Sequence, residues 1–284
     1  MLSRLRTYAA FVRVSHSVFA LPFALVGALL AFRLTAPSWS RVGWIVACMV
    51  AARSAAMGFN RLVDARFDAR NPRTAMREIP RGAMTRAEGI VFVIVTSAIF
   101  VACAARLGTT CLLLSPVALM IAFWYSLAKR FTSYTQLFLA LAMAVAPVGG
   151  WIAAGGPPRL EPWVLGLAIG VWVAGFDVLY ACQDLEFDRH ERLRSIPVRF
   201  GVERSLWISR GLHVLTIAAL ALVGVLGGLG RVYAAGVAVV GALLVYEQSL
   251  VRADDLSQVK RAFDLNGWVG ILYLVATAAD LWLA

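Results

Sequence analysis

Charge is what this chain has least of: Asp, Glu, Lys and Arg make up 15% of it, against roughly 25% in soluble domains. Acidic groups are scarcest, 16 against 27 Lys and Arg. Cysteine is also sparse, and Cys48, Cys103, Cys111 and Cys182 form no CxxC pair and lie in or beside apolar segments. They read as packing residues and support neither a zinc site nor a disulfide framework. What fills the sequence instead is apolar side chain, 61% of the total. Uninterrupted charge-free runs of ~20 residues match the length that spans a ~30 Å hydrocarbon layer. A soluble enzyme has no need of such runs, so the composition implies a polytopic, all-α integral membrane protein. In a soluble protein a net charge of +11 would suggest nucleic acid; here the positive residues fall in short loops, where they orient the chain in a bilayer and imply no nucleic-acid partner.

Apolar runs fall at about 11–33, 42–64, 85–106, 109–127, 135–154, 162–182, 203–227, 231–250 and 263–284, which predicts nine membrane helices. Arg4 and Arg6 ahead of the first run resemble a signal peptide, but the run lacks a small-residue cleavage site and continues to span length. With the N-terminus inside, only Arg33, Arg41, Arg106, Arg159 and Arg231 of the 27 basic residues face outward. That asymmetry puts the N-terminus on the cytoplasmic side and the C-terminus opposite. It describes an integral protein of the inner membrane, if the cell is bacterial. Pro22 and Pro147, inside their runs, predict kinks.

Two stretches break the apolar pattern. After the second run, Asn60, Asp64 and Asp68 recur every fourth residue, which on a helix places all three on one face. After the sixth, Asp184 and Asp188 are four apart. Asp64 and Asp184, and likewise Asp68 and Asp188, are separated by 120 residues, and the tetrapeptide Arg77 to Pro80 (REIP) is echoed by Arg194 to Pro197 (RSIP). Four crossings separate the two motifs, so both emerge on the cytoplasmic side. The offset suggests a duplicated, parallel four-helix unit, about 42–154 and 162–284.

A single acidic pair at a helix end is usually a solvated face, and arginine-rich inner loops are ordinary topology signals. Repetition on one membrane face, the added Asn60 and the expense of carboxylates beside hydrocarbon favour a ligand site. Four crowded carboxylates repel one another unless cations screen them. Oxygen ligands without His or Cys suit Mg2+, which is commonly held by one or two carboxylates together with substrate phosphates. A diphosphate would supply the missing ligands and nearby arginines would take up the remaining charge, while a lipid tail lies among the helices.

The sequence N60RLVD64ARFD68 resembles the NxxxDxxxD motif of the UbiA superfamily of intramembrane prenyltransferases, and Asp184-Leu-Glu-Phe-Asp188 is similar to its second DxxxD motif. With HSVFALPFAL near the start, the flanking segments are most similar to the 4-hydroxybenzoate polyprenyltransferase branch, including related enzymes of menaquinone synthesis. The resemblance covers nearly the whole chain and implies a single prenyltransferase domain, 1–284, with helices around a cavity open to the cytoplasmic side. It further implies Mg2+-dependent transfer of a polyprenyl group from polyprenyl diphosphate to a hydroxy-aromatic acid in ubiquinone or menaquinone biosynthesis. Asp64, Asp68, Asp184 and Asp188 would then hold metal, with Asn60 on diphosphate or metal. Lys129 and Arg130 would hold diphosphate oxygens, although either also reads as an interfacial stop signal. Arg73 and Arg77 could close over the headgroup.

Arg53 lies seven residues before Asn60 and Asp177 seven before Asp184, so each sits on its motif face, ~10 Å deeper along the helix. They either neutralise each other or serve the acceptor, Arg53 its carboxylate and Asp177 its hydroxyl or departing ring proton. Tyr180, one turn before Asp184, faces the same site; Tyr125 could line the prenyl channel. Arg13, Ser15, His16 and Ser17 form a polar patch on the first run, where Arg13 could assist diphosphate. Three rival readings are an ion- or proton-coupled transporter using the same acidic residues, an enzyme moving a phosphoalcohol group, and a membrane scaffold. The transporter predicts acidic groups near the midplane, the second enzyme a DxxDG-type signature that is absent, and the scaffold leaves the repetition unexplained.

Overall fold

The computed structural model describes residues 7–8, 10–12 and 20–283. Among them the chain is helical throughout, the one β-bridge joining Arg252 and Asp255 in a loop. The helices are α1 (Leu21–Phe32), α2 (Trp39–Asp68), α3 (Arg86–Leu107), α4 (Thr109–Trp124), α5 (Thr135–Ala153), α6 (Glu161–Ala181), α7 (Leu185–His190), α8 (Ile196–Gly227), α9 (Arg231–Ser249) and α10 (Val259–Leu283). A 3-10 turn, Tyr125–Arg130, continues α4, and another, Cys182–Asp184, joins α6 to α7. Eight of the resulting stretches are long and apolar enough to cross a membrane. The twelve-residue α1 is an additional, shorter apolar helix, and Arg13, Ser15, His16 and Ser17 lie outside the described residues.

Helix boundaries follow local chemistry. Ser38 opens α2 by accepting the amide of Arg41 at 3.3 Å. Thr85 opens α3 with a capping box, its hydroxyl accepting from the Glu88 amide at 3.1 Å while the Glu88 carboxylate accepts from the Thr85 amide at 2.8 Å. Ser195 caps α8, and Pro197 follows in its first turn. That pair explains why α8 begins at Ile196, ahead of the apolar run at 203. The intervening Gly201, at φ 78 and ψ 170, kinks the helix in a conformation that L side chains rarely adopt. Pro22 sits in the first turn of α1, where it displaces no hydrogen bond; residues 13–19 of the same apolar run lie outside the described ones. Pro147 does lie inside α5.

The core is built around α6, which is buried along nearly its whole length. Small residues let neighbouring backbones approach. A Cβ on Gly27 of α1 would strike the Pro147 carbonyl of α5, and one on Gly150 of α5 would strike the Ala24 carbonyl of α1, so each helix carries a glycine where the other presses closest. Phe23 fills the space beside α6 and α10, with ring centroids 5.0 Å from Trp172 and 6.0 Å from Tyr273. Buried polar groups are cross-linked between helices. The Trp172 indole donates to Asn266 at 2.8 Å, Asn266 donates to Glu247 at 2.9 Å, and the Ser209 hydroxyl donates to the Gly175 carbonyl at 2.7 Å. The tie through Ser209 and the packing of α5 and α8 against α6 hold it in place, with its last turns at one end of the bundle.

Candidate active site

The first motif rides the last three turns of α2. Asn60 and Asp64, one turn apart, are joined by an amide-to-carboxylate hydrogen bond of 3.0 Å. After Asp68 the chain leaves the helix and folds through successive turns to Thr85. Asn71, Thr74 and Glu78 are nevertheless buried there, because the segment packs over the helix ends. The Thr74 hydroxyl ties it to the Asp68 carbonyl at 3.1 Å. The second motif is built differently: Asp184 ends a 3-10 turn and Asp188 sits in the short α7. The four-residue step between them runs along α7, and the 3-10 turn falls just before it, where α6 passes into the motif.

The loop after the first motif reaches across to the second. Arg73 donates from Nε and Nη2 to the two oxygens of Asp184, at 3.2 and 2.6 Å, and from Nη1 to the Tyr180 hydroxyl at 3.1 Å. Its guanidinium also lies 5.5 Å from the Tyr180 ring centroid. Burial works against the charge on Arg73, but the Asp184 carboxylate beside it prevails and holds its pKa above the ordinary arginine value. Asn71 donates to Asp184 at 3.4 Å, and Arg70 pairs with Glu191 at 2.6 Å. The two motifs, far apart along the chain, therefore meet at the same end of the bundle.

Each motif aspartate has its own cation. Arg77 donates to both oxygens of Asp68 at 2.7 Å. Arg130 reaches Asp64 at 3.0 Å and the Val63 carbonyl at 2.8 Å. Lys129 lies 3.2 Å from Asp188 and also feels the charges of Asp184 and Asp177. Arg73 completes the set on Asp184. The cations come from two segments, the loop after α2 and the turn that continues α4, and none from the motif helices themselves. Such an alternation of anions and cations can open to accept a ligand carrying both signs, a divalent cation bound to a polyanion.

Does the donor set suit Mg2+? Among the described residues no three His, Cys, Asp or Glu side chains already converge on one point. The groups that face one another are nonetheless all-oxygen, four carboxylates and the Asn60 amide, as a hard divalent ion requires. Buried donors are also left over, since Nε of Arg77 and Nε of Arg53 have no hydrogen-bond partner. Those spare donors point to an anionic ligand. The residues fit a metal-bound diphosphate.

Deeper in the bundle, Arg53 and Asp177 are each half-buried. No ion pair joins them among the described residues, so mutual neutralisation is not what accommodates them. On α6 the partly accessible residues toward this end, Asp177 and Tyr180, share a face with Asp184.

The sequence profile of the UbiA prenyltransferase family matches residues 20–272. The chain belongs to that family. A curated relative, the 4-hydroxybenzoate octaprenyltransferase of Citrobacter koseri, is 33% identical over 239 residues, 83% of this chain and 82% of the relative. Among solved structures, the apo form of a UbiA homologue from Aeropyrum pernix K1 superimposes with a TM-score of 0.87 at 34% identity, covering 94% of this chain and 98% of the other. A UbiA homologue from Archaeoglobus fulgidus bound to DMAPP and Mg2+ shares the fold, with a TM-score of 0.74 at 20% identity over 98% and 100% of the two chains. This UbiA chain is therefore a prenyltransferase. Three of its site contacts escaped sequence reasoning: Asn71 on Asp184, Arg70 on Glu191, and Arg194, which grips the segment carrying Lys129. Only the last had a sequence signal, the RSIP echo.

Proposed function

We propose that the protein transfers a polyprenyl group from a polyprenyl diphosphate to a ring carbon of 4-hydroxybenzoate or a similar hydroxy-aromatic acid, in respiratory quinone biosynthesis. Asp64, Asp68, Asp184 and Asp188 would hold Mg2+, which supplies charge neutralisation of the departing pyrophosphate. Asn60, Lys129, Arg130, Arg73 and Arg77 bind the diphosphate oxygens, with Tyr180 bracing Arg73. As the carbon–oxygen bond to the allylic carbon breaks, these cations offset the charge developing on the leaving group. Arg53 pairs with the acceptor's carboxylate and holds the ring so that the carbon beside its hydroxyl meets the allylic cation. Asp177 accepts the hydrogen bond of that hydroxyl and then the ring proton, which restores aromaticity. The apolar bundle keeps water from the cation.

The observation that carries this reading is the one-to-one matching of four motif aspartates with four cations, beneath which Arg53 and Asp177 form no ion pair among the described residues. Family membership and the octaprenyltransferase name of the Citrobacter relative support it, as does the Mg2+ and DMAPP bound by the Archaeoglobus homologue. The transporter reading finds no support in where the acidic groups sit, four of them at helix ends. The nine-span arrangement, the cytoplasmic placement of the N-terminus and of the cavity mouth, and the four-helix repeats at 42–154 and 162–284 belong to the same proposal; the strong inward excess of Lys and Arg supports the orientation. The test is purified protein in lipid nanodiscs with labelled prenyl diphosphate and a panel of aromatic acids. A prenylated aromatic product that forms with Mg2+ and disappears on chelation is expected. Absence of product across the panel would sink the proposal.

A further inference from the structure

The tetrapeptides REIP and RSIP both follow a motif, nine residues after Asp68 and six after Asp188, and their arginines do different work. Arg77 of the first grips the Asp68 carboxylate directly. Arg194 of the second touches no carboxylate among the described residues. Its Nη1 donates to the Phe131 carbonyl at 2.6 Å, and its backbone amide donates to the Lys129 carbonyl at 2.9 Å. Those carbonyls end the 3-10 turn Tyr125–Arg130, where helical partners have run out. Next to it, the fully buried Ser195 lies beside the Asp188 carboxylate, and the following amide, of Ile196, donates to Gln136 at 3.4 Å. The segment 194–196 thus holds, from behind, both halves of the pair formed by Lys129 and Asp188.

A local reversal delivers it there. Arg192, with φ 55, is the one non-glycine with positive φ among the described residues. The turn is closed by the Leu193 amide donating to the Asp188 carbonyl at 2.8 Å. Without this left-handed step the chain would leave α7 away from the α4 turn.

We propose that Arg194 is a positioning residue for diphosphate binding: it anchors the backbone of the turn that carries Lys129, so that the ammonium is held at the site when it moves from Asp188 to the diphosphate. The asymmetry of the repeats is then functional. In the first half an arginine meets the motif aspartate itself, whereas in the second that place is taken by a mobile lysine from another helix, which needs its backbone fixed. This inference rests on the diphosphate reading above.

The test is a double-mutant cycle of Arg194→Gln with Lys129→Met, in nanodiscs with Mg2+ and labelled geranyl diphosphate, following donor binding, donor KM, kcat and melting temperature. The Arg194 side chain is exposed, so its replacement leaves melting nearly unchanged. Loss of one charge-assisted anchor is expected to raise donor Kd and KM roughly fivefold with little change in kcat. Arg194→Lys, which keeps a cationic donor, restores most of this, and Arg194→Gln adds nothing once Lys129 is gone. If Arg194→Gln fails to accumulate, Arg194→Ala takes its place in the cycle. Unchanged donor binding in the Arg194 variants, no rescue by lysine, or full additivity with Lys129→Met overturns the positioning role. A wild-type protein that neither binds nor uses the donor overturns the diphosphate reading itself.

Discussion

Asp184 is where the loop after α2 and the second motif are physically joined, so Asp184→Asn separates the two jobs this carboxylate has. In the free protein it receives both prongs of the Arg73 fork. A charge-assisted contact of that kind is worth ~1.5–3 kcal/mol when enclosed, but the Arg73 side chain is 36% exposed, which reduces it to about 1 kcal/mol. The unliganded protein should therefore melt only about 2–3 °C lower. With Mg2+ and an unreactive prenyl diphosphate analogue at 100 times Kd, the wild type gains ~2.7 kcal/mol, or roughly 6 °C. Loss of a metal carboxylate that weakens binding by ~100-fold, the upper range for even an outer-shell partner, brings the ratio of ligand to Kd to about one and shrinks that gain to ~0.4 kcal/mol. The assay is a melting curve in detergent with and without ligand. A variant that keeps the full ligand-induced shift, or whose unliganded melting point falls by ten degrees, refutes the reasoning: the first outcome removes Asp184 from the site, and the second makes its pairing structural.

Arg53→Met should raise KM for the aromatic acid at least tenfold, ~1.4 kcal/mol for a lost ionic contact, and leave donor KM unchanged; acceptor saturation curves measure both, and unchanged acceptor KM with normal maximal rate rejects the assignment. Arg192→Gly should raise the melting temperature, since a non-glycine in the left-handed region costs ~1–2 kcal/mol; a fall on thermal denaturation contradicts it. Gly150→Val should destabilise by more than ~2 kcal/mol, because the added carbons meet the Ala24 backbone of α1, which cannot rotate away; a variant that melts like the wild type shows that the helices do not pack this closely.

What composition and periodicity determined was coarse: the all-α architecture and eight of the nine expected spans, of which α8 starts at Ile196, ahead of its apolar run. These are legible because membrane helices need long apolar runs, and each polar interruption is costly enough to be conspicuous. Arg53 and Asp177 stood out for the same reason. Pairing was not legible. A loop with Arg70, Arg73, Arg77 and Arg81 offers no one-dimensional clue that Arg73 crosses to Asp184 while Arg77 turns back to Asp68. That choice depends on where the loop folds over the helix ends and which carboxylate each fork can reach. Nor does spacing show that α6 passes into the second motif by a 3-10 turn, or that Arg194 serves a backbone over 60 residues earlier in the chain. Local spacing fixes which face a residue occupies; which groups meet across helices depends on the closed bundle, because the contacts that decide it are made between segments more than a hundred residues apart.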